Sequence, residues 1–80
     1  MSDAAEDLAQ RANQAWKEGR REDARRNLLE AVELLRLDDR RSELARALRN
    51  LGEIERRTPN AEDALRHYEE AVAIYRGRAA

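Results

Sequence analysis

The chain repeats itself. Shifted by 40 positions, the segment from Glu22 to Arg36 falls on that from Glu62 to Arg76, and eight of the fifteen residues coincide: Glu22, Asp23, Ala24, Arg26, Glu30, Ala31, Val32 and Arg36. Amphipathic helices of any origin share apolar spacing. They do not also share charged positions, so the Glu-Asp pair and the two Arg positions mark two copies of one structural unit. Upstream the match is looser, with Leu8 on Leu48 and the small Ala12 on Gly52. A unit this short cannot bury its apolar face alone, so the two copies must stack on each other.

Each unit reads as a pair of helices. The first helix, about 4–18, carries Leu8, Ala12, Ala15 and Trp16 on one face, and Gly19 suits a reversal of the chain. The second, about 21–37, is apolar over more than half its circumference through Ala24, Leu28, Leu29, Ala31, Val32, Leu34 and Leu35, which predicts the most buried helix. In the patch Asp38-Asp39-Arg40-Arg41-Ser42, either Asp or Ser42 is a candidate cap for the third helix, about 41–57, with Leu44, Ala47, Leu48, Leu51 and Ile54 inward. Thr58-Pro59-Asn60 breaks the pattern. The fourth helix, about 61–76, presents Ala64, Leu65, Tyr68, Ala71, Val72 and Tyr75, and ends at Gly77. Short connections make successive helices antiparallel neighbours. The expected fold is all-α: two antiparallel hairpins, about 5–38 and 41–77, in a single domain.

Composition narrows the function. Charged residues are 41% and aromatics 4%, so bulky groups for a sheet core are scarce. The absence of Cys excludes a disulfide framework and a thiolate nucleophile, and accords with a cytoplasmic, reducing compartment. The net charge of −1 argues against a nucleic-acid binder. Apolar runs are too short for a membrane span, and the acidic start is unlike a signal peptide. With one His and no Cys, neither a metal site nor a cofactor is expected. His67 has Asp63 and Glu70 at helix spacing, but no nucleophile or oxyanion donor accompanies it, so it reads as an exposed surface residue and the chain as no enzyme. The preference for Arg over Lys accords with a bacterial genome of high GC content.

In the second unit, Leu48-x-x-Leu51-Gly52 precedes Ala64-x-x-x-Tyr68-x-x-Ala71, and the first shows Leu8, Ala12, Ala24, Leu28 and Ala31 in the same frame. This pattern resembles the tetratricopeptide repeat, a right-handed α-solenoid of helix hairpins. Leu48 and Glu55 stand where that family usually has aromatics, Arg36 and Arg76 replace its terminal Pro, and the spacing of 40 marks a long-spaced subtype. The resemblance implies a protein-binding scaffold whose groove is lined by the first helix of each hairpin. Carried onto this chain, the groove positions are Glu6, Ala9, Asn13, Trp16 and Lys17, then Arg46, Arg49, Asn50, Glu53, Arg56 and Arg57.

Two further features bear on partners. From Arg40 to Arg57, six Arg stand against three Glu, a local +3 with Arg46, Arg49, Arg56 and Arg57 along one face. This is either a basic wall for an acidic peptide or a solvated face laced with Arg49–Glu53 and Glu53–Arg57 pairs. Trp16 is either a binding anchor or the closure of the core's end; Tyr68 and Tyr75 read as packing residues on the core-facing stripe. Beyond the fourth helix no further unit follows to cover Leu65, Val72, Ile74 and Tyr75. That face predicts self-association, and a homodimerising structural module, or part of a longer array, is the alternative to a peptide-binding adaptor.

Overall fold

The computed structural model describes residues 3–79, with side chains to Gly77. Four helices follow in order: α1 (Ala4–Lys17), α2 (Arg21–Leu37), α3 (Arg41–Glu55) and α4 (Ala61–Ala79). Among the described residues there is no strand. Each helix packs on its neighbour in sequence, α1 on α2, α2 on α3 and α3 on α4, giving a short helical repeat stack. Its extents are 38 × 35 × 16 Å, the last being the depth of two helix layers.

The turn inside the first hairpin and the turn between the hairpins share one device. Gly19 has φ +79° and the next amide, Arg20 N, donates to Ala15 O at 2.8 Å. Twenty residues on, Asp39 has φ +56° and Arg40 N donates to Leu35 O at 3.1 Å. A left-handed residue followed by a bond reaching back five positions is the Schellman ending of a helix. It explains a departure from expectation: Asp38, Asp39 and Ser42 do not cap α3, whose N-cap is Arg40 with no side-chain bond. Asp39 is spent on ending α2 instead. α1 is the helix with an acidic cap, Asp3 accepting from Ala5 N and Glu6 N at 3.1 and 3.2 Å. Arg40 also reaches that carboxylate at 3.0 Å, tying the inter-hairpin turn to the start of α1, and with the Glu6 amide it holds the Asp3 pKa below its ordinary value. α3 ends two residues earlier than expected, and α4 runs through Gly77 rather than stopping there.

The most buried helix is α3, not α2. It contributes Leu44, Ala45, Ala47, Leu48, Leu51, Gly52, Ile54 and Glu55 to the interior, against five residues from α2. Its small residues let α2 and α4 close on it from two sides, whereas the apolar excess of α2 spills out at Leu37, which is exposed. α3 and α4 approach closely, since a Cβ placed on Gly52 would lie 3.1 Å from the Tyr68 ring. At the matching place in the first hairpin, Ala12 and Leu28 are both buried, so a larger helix residue goes with a smaller partner. The Tyr68 hydroxyl is buried with no hydrogen-bond partner among the described residues, so it does not hold the ring there. We expect Gly52→Ala to destabilise by about 1–2 kcal/mol, since overpacking outweighs the ~1 kcal/mol helix gain of removing Gly. Combining it with Tyr68→Leu, which recreates the first hairpin's pair, should restore stability; additive losses on denaturant unfolding would refute the size-matching account.

Candidate functional site: the groove between α1 and α3

α1 and α3 lie side by side on one face, with α2 beneath them, and two adjoining cavities run between them. One, of about 250 Å³, is lined by Ala9, Asn13, Trp16, Leu28, Asn50, Glu53, Ile54 and Arg57. The other, of about 430 Å³, adds Ala5, Glu6, Leu35, Glu43, Arg46 and Ala47. Both share Ala9, Leu28 and Asn50, so they form one continuous groove. Its floor is apolar because Leu28 and Leu35 of α2 show through between the two helices, and its length follows from the small Ala5, Ala9 and Ala47 on facing walls. From Ala5 to Trp16 the groove spans roughly 16 Å at 1.5 Å per helical residue, about five extended residues of peptide.

One end is closed by Trp16. Its ring is partly buried against the core and also lines the groove. The guanidinium carbons of Arg21 and Arg57 lie 5.7 and 5.9 Å from its centroid, within cation–π range. Arg21 also donates to Arg57 O at 3.4 Å, so the start of α2 and the turn after α3 hold the ring together.

A family model for the tetratricopeptide repeat matches residues 3–77. The chain belongs to the tetratricopeptide-repeat family. This family generally serves protein–protein interaction, and the groove lies along the first helix of each of its hairpins. Searches of curated proteins and of solved structures find no match. Among the described residues, no helix of this tetratricopeptide-repeat chain is long and apolar enough to cross a membrane.

The groove residues inferred from the sequence divide. Asn13, Trp16, Arg46, Asn50 and Glu53 line it, as do Glu6, Ala9 and Arg57. Lys17, Arg49 and Arg56 do not; they are exposed on the rim or beyond, because the register of α1 and α3 turns them out of the groove. Nor do the expected Arg49–Glu53 and Glu53–Arg57 pairs form. Glu53 accepts instead from Arg56 Nε at 3.1 Å. Glu43 is paired with Arg40. Of the groove's charged side chains, Arg46 and Arg57 therefore have no ion-pair partner among the described residues, while two of the three glutamates do.

A second polar cluster was not legible in advance. Glu55 is fully buried, and Arg25 of α2 donates to it at 2.9 Å while also reaching Asp63 of α4 at 3.3 Å. His67 Nδ1 bonds the other Glu55 oxygen, so His67 is a partly buried network member and not the exposed surface residue expected. The hint in the sequence was that Glu55 stands where the family usually has an aromatic, a position that matches buried Ala15 in the first unit. Arg25, its partner, is 30 residues away in sequence, and helix spacing gives no sign of that.

Proposed function

We propose that this tetratricopeptide-repeat chain holds a short acidic segment of a partner protein, about five extended residues, in the groove between α1 and α3. The observation that carries this is the arrangement of the groove itself: an apolar floor of Leu28 and Leu35 between walls bearing unpaired Arg46 and Arg57. Apolar side chains of the peptide would sit on that floor. Carboxylates would take the two guanidinium forks, and the Asn13 and Asn50 amides would bond the peptide backbone. Trp16, held by two Arg side chains, offers a rigid wall at low entropic cost.

Selection of random octapeptides displayed on phage should enrich acidic sequences with an apolar residue between the acids. A labelled peptide of that consensus should bind with an affinity that falls as salt rises. Arg46→Glu or Arg57→Glu should weaken it at least tenfold, the loss of one charge-assisted hydrogen bond plus a repulsion. Arg49→Glu, a similar charge change outside the groove, should shift it by less than about threefold. Equal losses at all three positions, or enrichment of sequences without acids, would remove the acidic-ligand reading.

A further inference from the structure

The outer faces of α1 and α4 are opposites. Leu51 and Ile54 of α3 are buried against the preceding hairpin, and at the 40-residue offset their counterparts on α1 are Arg11 and Gln14, both exposed. The α1 end of the stack is thus finished in polar residues. On α4 the reverse holds. Val72 and Tyr75 are 45% and 40% exposed, whereas their counterparts on α2, Val32 and Leu35, are 2% and 4% exposed beneath α3. Leu65 is 61% exposed beside them. Ile74, expected on this face, is 4% exposed and belongs to the core, because it points back toward α3. Tyr75, read from the sequence both as a packing residue and as part of this face, is out on the open face.

The open face carries its own specification. Leu65, Glu69, Val72 and Arg76 are spaced four, three and four, the spacing of a helix–helix seam. Tyr68, Glu69, Val72, Ala73 and Arg76 line an open-sided cavity of about 350 Å³ at its middle. Glu69 lies three residues before Val72 and Arg76 four after, roughly 4.5 and 6 Å along the axis. Neither has an ion-pair partner among the described residues.

We propose that this face is an isologous interface with a second copy of the chain, its α4 helices antiparallel about a two-fold axis at Val72. In that arrangement Val72 meets its own copy, and each Glu69 faces the partner's Arg76, so one helix supplies both halves of two ion pairs. A parallel pairing sets Glu69 against Glu69 and Arg76 against Arg76. Head-to-tail stacking fails because the α1 end offers Arg11 and Gln14 where apolar residues are needed. Closed two-fold symmetry follows, not a growing filament. A single helix pair is a small interface, so the dimer should be of micromolar to tens-of-micromolar affinity.

Sedimentation equilibrium from 5 to 500 μM tests this on the full chain. A monomer–dimer equilibrium is expected for the parent chain, and a monomer for Val72→Glu with an unchanged circular dichroism spectrum. Glu69→Arg alone and Arg76→Glu alone should each weaken self-association at least tenfold. An equimolar mixture of these two variants should form a heterodimer, since both cross-pairs are then restored. Merely structural damage would not be repaired by mixing. A monomer throughout the range overturns the proposal and leaves the face to a helix from another protein. A dimer insensitive to both charge reversals overturns the antiparallel geometry.

Discussion

Arg25→Ala is expected to destabilise the chain by about 3–5 kcal/mol, the usual result of stripping the partner from a buried charge. Glu55 is fully buried, and Arg25 Nε at 2.9 Å is its one bond to a permanent cation. Without it the carboxylate keeps His67 but sits in the joint where α2, α3 and α4 meet. For a domain this small the loss corresponds to a fall in Tm of 12 °C or more, at about 4–8 °C per kcal/mol. Removing both partners together, in Arg25→Leu with Glu55→Leu, should cost much less than the sum of the single changes, because no charge is left buried without a partner. A loss below about 1 kcal/mol for Arg25→Ala in urea unfolding would mean that the network contributes little.

The second large effect concerns positions that the repeat makes equivalent and the fold does not. Leu51→Arg places on α3 the residue that α1 carries at Arg11, and it should abolish folding or cost more than about 4 kcal/mol, since a fully buried site would receive an unpaired cation. The reciprocal Arg11→Leu should change stability by less than about 0.5 kcal/mol, as exposed positions do. Comparable effects at both sites would show that the outer face of α1 is not a finished end.

Much of the architecture was legible from residue patterns. The four helices appear where the 3.6-residue periodicity sets them, within about two residues at most ends, and the repeat in Glu-Asp and Arg positions announces stacked hairpins. Within the groove, Asn13, Trp16, Arg46, Asn50 and Glu53 were legible because a family frame fixes which face of each first helix turns to the concave side. Lys17, Arg49 and Arg56 were misplaced because they sit at the edge of that face, where a small rotation of a helix decides between groove and solvent.

The sequence by itself determined the helices, the pairing of helices into two hairpins and the family, because each rests on local periodicity or on self-similarity along the chain. Tertiary structure alone decided which helix is most buried and that Glu55, Arg25 and His67 form one network. It also decided that Ile74 turns into the core while Val72 and Tyr75 stay open. The physical reason is the same in each case. Burial and pairing depend on which elements meet across 30 or more residues, and two copies of one repeat unit have different neighbours.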